Sequence, residues 1–189
     1  MNIEYQCVEG VEGDDVIASY TKVAKAADFE VSIISGDKDL LQLLDNKITV
    51  YNSQGIDNKE TLYTKQLFAD VYGFEANRFL EFKCLTGDAS DGISGIPYMT
   101  KINAFELIKQ FSSIEAMYDD ATHAKLNKAT KNVLSNAERL TLNKQLISLR
   151  DDVEVKLLAD VRNKINKKDF AEYINILGFK KIQEKINLL

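Results

Sequence analysis

Apolar residues change their period several times along the chain, and the changes mark out its elements. From Asp15 onward, Val16, Tyr20, Val23 and Ala27 recur at the spacing of one helical face, which predicts an amphipathic helix over residues 14–27. Val31-Ser32-Ile33-Ile34 is a β-branched run closed by Gly36 and reads as a buried strand. Lys38 to Leu44 read as a short helix, Ile48 to Tyr51 as a second strand, and the mixed apolar stretch 3–8 as a further strand ahead of the Gly10–Gly13 turn. Strand, helix, strand in this order predicts parallel pairing in an α/β layer.

Beyond Gly55 the pattern reads as helical to the end. Thr64 is placed to cap a helix running to Tyr72 and ended by Gly73. Residues 76–85 carry Phe79, Leu80 and Cys84 on a second helix. A glycine-rich connection from Gly87 to Gly95 leads to Pro97, the only proline. Ala104, Leu107, Ile108 and Phe111 then recur at helical spacing. Ser112 with Glu115 and Ser135 with Glu138 have the spacing of capping boxes, the second opening a long helix lined by Leu142, Leu146 and Leu149. A last helix, about 167–177, precedes Gly178-Phe179 and a basic, apolar tail.

Composition narrows the classes. A chain of 189 residues, 45% hydrophobic, suits one domain or one domain with a small appendix. No apolar run approaches the roughly 20 residues needed to span a bilayer, and Met1 to Gln6 lack the basic and apolar regions of a signal peptide. These features predict a cytoplasmic protein that does not engage a membrane. Cys7 and Cys84 have no metal-ligand spacing and read as reduced, buried small hydrophobes, and the lone His123 reads as a surface residue. The net charge of −5 weighs against a nucleic-acid binder that works by bulk attraction. The acids, however, concentrate before residue 95, while lysines recur after it, and acids that hold cations become a positive site once filled.

Candidate chemistry lies in three short acidic motifs: Gly10-Val11-Glu12-Gly13-Asp14-Asp15, Ser35-Gly36-Asp37-Lys38-Asp39 and Thr86-Gly87-Asp88-Ala89-Ser90-Asp91-Gly92. Each has an ordinary explanation alone: charge at a helix N-terminus, a polar turn after a strand, a helix cap in a glycine-rich loop. The second, though, falls at the C-terminal end of a buried strand, where open α/β sheets place their ligands. Seven carboxylates near one sheet edge would raise each other's pKa unless cations compensate. Oxygen ligands without His or Cys favour Mg²⁺ or Mn²⁺ over zinc. Two such ions a few ångströms apart are a common device for phosphodiester hydrolysis.

Together the three motifs resemble the 5′-nuclease family, which contains the flap endonucleases, the 5′→3′ exonuclease domain of bacterial DNA polymerase I and stand-alone phage exonucleases. The resemblance implies a PIN-like α/β nuclease core, here a partial mixed or parallel sheet with flanking helices over residues 1–92. A helical region over 76–189 follows, with a helix-hairpin-helix element at about 80–111. It implies that Glu12, Asp14, Asp15, Asp37, Asp39, Asp88 and Asp91 hold divalent ions, most simply two, with Asp14, Asp37 and Asp39 central to catalysis. The implied activity is structure-specific 5′→3′ exonuclease or 5′-flap endonuclease hydrolysis of DNA, in replication and repair.

Two departures from the family pattern shape the expectation. The family's nuclease domain begins upstream of the position that Met1 occupies. The chain is therefore expected to lack the N-terminal part that supplies a first strand, two further Asp residues and a basic helical arch. That part would come from a separate N-terminal nuclease fragment, or the chain is a partial sequence. The hairpin, at which the family binds duplex DNA with a K⁺ ion, is degenerate: Gly95-Ile96-Pro97-Tyr98-Met99-Thr100 carries Tyr98 and Thr100 where the family has glycines. The implied DNA-binding set is then Gly95, Ile96, Thr100 and Lys101. The alternative function is a non-catalytic module that binds branched DNA or a protein partner.

Overall fold

The computed structural model describes residues 5–120, 128–157 and 167–179. Its mixed α/β architecture opens with α1 (Gly13–Ala26), β1 (Val31–Ile34) and a 3₁₀ turn at Asp39–Leu43, followed by β2 (Ile48–Asn52) and β3 (Thr61–Tyr63). The chain continues through α2 (Lys65–Tyr72), α3 (Phe79–Thr86), the two short strands β4 (Gly87–Asp88) and β5 (Ile93–Ser94), and α4 (Lys101–Gln110). It ends with α5 (Ile114–Asp120), α6 (Lys128–Ser135), α7 (Ala137–Ile147) and α8 (Lys167–Ile176). β1 pairs parallel to β2, with Val31 opposite Ile48 and Ile34 opposite Tyr51, as the strand-helix-strand order predicts. β3 adds to β2 in the antiparallel sense, with Val50 opposite Tyr63. β4 and β5 form a separate antiparallel pair.

Several sequence expectations need correction. Residues 5–8 form no strand; the rest of the predicted 3–8 strand, His123 and the basic tail from residue 180 lie outside the described residues. β3, β4 and β5 interrupt the stretch read as wholly helical, because segments of two or three residues are too short to show a period. On α1 the buried face is Ala18, Thr21 and Ala24 with Ile17 behind it, one register on from the predicted stripe; Val23 is exposed. The α7 core face is likewise Leu140, Asn143 and Ile147, leaving Leu142 and Leu146 exposed. Cys84 is buried as expected, and its burial pushes the thiol pKa up to about 12; Cys7 is exposed.

The caps follow the same logic. Thr64 Oγ1 accepts from Leu67 N, and Gly73 ends α2 at φ 75°, as predicted. Thr100 caps α4 through Asn103 N. The residue whose hydroxyl caps α5 is Ser113, one position after the predicted Ser112, accepting from Ala116 N. Ser135 does not cap α7; its hydroxyl donates back to Lys131 O inside α6, which removes the second capping box.

One continuous core joins the sheet to the helices, running from Ile33, Leu40, Leu41, Val50 and Phe68 to Leu85, Leu107, Met117 and Val133. Phe68 stacks on Tyr72 at 4.3 Å and meets Phe79 edge-on at 5.3 Å. Polar ties then fix the loops. Buried Asn143 on α7 donates from Nδ2 to Cys84 O at 2.9 Å and Ser94 O at 3.0 Å, holding α7 against the β4–β5 unit. Buried Asn52, at the end of β2, donates to Gly36 O at 3.0 Å and so fixes the loop after β1. Asn143→Ala orphans two carbonyls in a buried setting and is expected to cost about 2–3 kcal/mol, a fall of ~5–10 °C in melting temperature by calorimetry.

Candidate metal centre

Three segments converge on one cleft of about 860 Å³, lined by the acids Glu12, Asp14, Asp15, Asp37, Asp39 and Asp91, by Arg139 and Gln145 of α7, and by Arg150 just after it. Local chemistry sets each acid. Asp14 and Asp15 lie in the first turn of α1, where the helix dipole favours anions. Glu12 occupies the N-cap position, but its side chain makes no capping bond and remains exposed. Asp15 Oδ1 accepts from Arg150 N at 2.8 Å, tying the helix start to the segment after α7.

The loop after β1 is built by its own polar groups. Asp37 N donates to Ser35 Oγ at 3.0 Å, and Asp39 N donates to Asp37 Oδ1 at 2.8 Å. Leu40 and Leu41, both fully buried, anchor the 3₁₀ turn behind them. The third loop is tight. Gly87 has φ 79°, and a Cβ on Gly95 would lie 2.4 Å from Thr86 C and 2.5 Å from Thr86 O, so glycine is required where the connection passes the end of α3.

Asp39, Asp88 and Asp91 bring carboxylate oxygens within 4.8 Å of one another. Glu12, Asp14, Asp15 and Asp37 belong to the same cleft but not to this tight group. The residue that the sequence reading missed is Lys83. It is buried in the last turn of α3, and its ammonium ion-pairs with both Asp39 and Asp88. A lone lysine in an apolar helix carries no motif; the signal was its place five residues before Asp88, in the turn that delivers that loop.

The electrostatics follow from this packing. Burial, then the neighbouring Asp37, raises the Asp14 pKa to about 6. Burial also keeps Asp39 above its ordinary value despite the pairing with Lys83. For Asp88 burial is the largest single influence and pulls upward, but Lys83 and the Ser90 hydroxyl and amide together hold it below the usual carboxylate range. A set of carboxylates with no nitrogen or sulfur ligand fits a hard divalent cation such as Mg²⁺ or Mn²⁺.

Residues 1–73 match the family model for the 5′-3′ exonuclease N-terminal resolvase-like domain, and residues 74–169 match that for the 5′-3′ exonuclease C-terminal SAM fold. The chain belongs to the 5′-3′ exonuclease family. The match to the N-terminal domain corrects the expectation that this chain lacks the N-terminal part of the family: both parts are represented. Glu12 to Asp39 fall in the first part and Asp88 and Asp91 in the second. The expectation arose because the first acidic motif begins so near Met1.

Among relatives in the 5′-3′ exonuclease family, the DNA polymerase I of Bacillus subtilis is 30% identical over 182 residues, covering 95% of this chain and 21% of that protein. The DNA polymerase I of Caldicellulosiruptor bescii is 33% identical over 184 residues, covering 95% and 22%. The chain thus spans about a fifth of the length of these relatives. Among solved structures, T5 5′-exonuclease with divalent zinc bound superposes with a TM-score of 0.64 at 24% identity, covering 75% of this chain and 51% of that one. The catalytic core of Rad2 in complex with DNA substrate gives 0.55 at 16% identity, covering 94% and 61%. These likenesses show a shared fold. Among the described residues no helix is long and apolar enough to cross a membrane.

The Asp14 shift generates a pH signature. Its folded pKa lies above the unfolded value of 3.8, so the folded state binds the extra proton between about pH 4 and 6. With divalent ions chelated, Asp14→Asn is expected to match wild-type stability below about pH 4. Its advantage should grow as pH rises and level off above about pH 6, at about 1 kcal/mol once solvent screening of this partly exposed group is discounted. Urea unfolding at several pH values measures it.

Proposed function

We propose that the chain is the nuclease part of a structure-specific 5′→3′ exonuclease or 5′-flap endonuclease that hydrolyses DNA phosphodiester bonds. The observation that carries this reading is the convergence of all three acidic motifs on one place, six of the seven acids lining the cleft and the seventh, Asp88, joining Asp39 and Asp91 behind it. Family membership supplies the reaction class, and the T5 and Rad2 likenesses support a metal-dependent enzyme that works on DNA.

The residues divide by place. Asp39, Asp88 and Asp91 form one group able to hold a divalent ion; Glu12, Asp14 and Asp37 line the same cleft and would supply further oxygen ligands. Bound divalent ions would supply an activated water and stabilise the leaving oxygen. Arg139, exposed and without an ion pair among the described residues, and Arg150 line the same cleft, where a phosphodiester backbone reaching the acids would meet them. Asp15 would act by holding the Arg150 backbone.

The PIN-like core belongs to the same reading and is supported by β1 and β2 running parallel, with Asp37 and Asp39 just beyond the β1 C-terminus. The domain division 1–92 and 76–189 agrees with the sheet lying in the first half. Over about 80–111, α3, the β4–β5 pair and α4 follow in succession, an order that supports reading this region as a helix-hairpin-helix element. Lys101 is exposed at the start of α4, beside the Thr100 cap. Ile96 is buried with its amide bonded to Leu85 O, so its contribution to DNA binding is to shape the loop, as is that of Gly95. Tyr98 and Thr100 stand where the family has glycines, which weighs against a K⁺ ion there.

The deciding experiment supplies a 5′-flap DNA with Mg²⁺ or Mn²⁺ to the purified chain. The expected outcome is cutting at or near the junction, abolished by EDTA and reduced by at least about 100-fold in Asp37→Ala/Asp39→Ala, more than loss of a residue outside the ligand set costs. Binding to flap DNA without cutting in either metal would instead identify a non-catalytic DNA-binding module.

A further inference from the structure

We propose that Lys83 is a built-in counter-cation, a positioning residue that holds Asp39 and Asp88 together in the metal-free protein and competes with a divalent ion for the same two carboxylates. The inference rests on the metal-centre reading above for its second half and on the ion pairs alone for its first.

Asp39, Asp88 and Asp91 place three negative charges with oxygens within 4.8 Å. Asp88 is 7% exposed and lies on β4; Asp39 is half-buried at the start of the 3₁₀ turn after β1. Two such carboxylates cannot share a poorly hydrated site without compensation. Lys83, 8% exposed and the only buried basic residue among the described residues, supplies it by ion-pairing with both at once. It joins two loops that are 49 positions apart in sequence (88 − 39).

The position of Lys83 is fixed by its neighbours. Cys84 and Leu85 beside it on α3 are buried, and the Phe79 ring lies 5.9 Å from its Nζ. The stem therefore cannot swing to solvent without unpacking the helix end. With Lys83 in place the group carries a net charge of −2, and Asp91, exposed and without an ion pair among the described residues, is the member left open. An ion entering beside Asp91 must share Asp39 and Asp88 with the ammonium. The lysine thus keeps the centre assembled when empty and weakens its hold on the ion.

The test compares wild type with Lys83→Met, which keeps the length and apolar body of the side chain. In EDTA the variant is expected to melt about 10 °C lower, because breaking a buried pair leaves two unpaired carboxylates. By calorimetric titration it is expected to bind Mn²⁺ on the order of 10-fold more tightly, from the added negative charge and freed oxygens. On the wild-type protein, ¹⁵N-lysine NMR should show a protected Lys83 ammonium in EDTA, assigned by its absence in Lys83→Arg, that shifts on saturation with Mg²⁺. That measurement decides the matter if Lys83→Met does not fold. An unchanged melting temperature in EDTA, Mn²⁺ affinity equal to or weaker than wild type, or an ammonium signal unmoved by Mg²⁺ overturns the proposal. Wild type that binds no Mn²⁺ at all overturns the metal-centre reading and, with it, the competition; the EDTA melt still decides the counter-cation role.

Discussion

Holding several carboxylates against one another is the constraint on which this structure turns. Like charges at these separations repel strongly wherever water is thin. The fold answers with three kinds of compensation. Lys83 brings a full positive charge to Asp39 and Asp88. Backbone amides bond the acids directly: Asp39 N to Asp37, Ser90 N to Asp88 and Arg150 N to Asp15. The first turn of α1 sets its unpaired N–H groups beside Asp14 and Asp15. Asp14 is not fully compensated: burial and the neighbouring Asp37 raise its pKa to about 6.

Much of the remaining fold is explained by the need to hold these loops still. Asn52 reaches from β2 to the Gly36 carbonyl, and Asn143 reaches from α7 to Cys84 O on α3 and Ser94 O on β5. Ser19 on α1 accepts from Val153 N, so the helix that presents Asp14 and Asp15 is fixed to the segment after α7. Each tie uses a buried or half-buried polar side chain, costly unless satisfied. Each joins elements far apart in sequence, as a site assembled from three separate motifs requires.

The acidic motifs were legible because they are dense, local and placed after recognisable elements. The parallel β1–β2 pair, the Thr64 cap and the Gly73 stop were legible for the same reason: each depends on residues within a few positions. What escaped was set by partners distant in sequence. The α1 and α7 faces rotated by one residue because burial depends on what packs against the helix, here the 3₁₀ turn and β1 for α1 and chiefly α3 for α7. β3 exists because β2 offers an edge. Lys83 drew no notice because one lysine in an apolar helix acquires meaning only when Asp39, 44 positions away, is folded onto it.

The hairpin shows how a departure from pattern can keep a shape while changing what it presents. Tyr98 stands at φ 59°, a region that costs a non-glycine residue about 1–2 kcal/mol. The loop holds it there regardless. Ile96 is buried with its amide on Leu85 O, Met99 N returns to Ile96 O, and Asn132 Nδ2 bonds Pro97 O from α6. The backbone path is therefore set by the residues around Tyr98, with Gly95 as the one position where a Cβ would collide. Tyr98 is 94% exposed and Ile102 75% exposed, so a molecule approaching this loop meets an aromatic ring and an aliphatic side chain before any backbone amide. Close backbone approach, which the glycines would permit, is thereby replaced by a surface of side chains, with Lys101 exposed beside it. The strain is retained because relieving it would unseat Ile96, and Ile96 is what holds the Gly95 connection against the end of α3, the same turn that carries Lys83 into the metal centre.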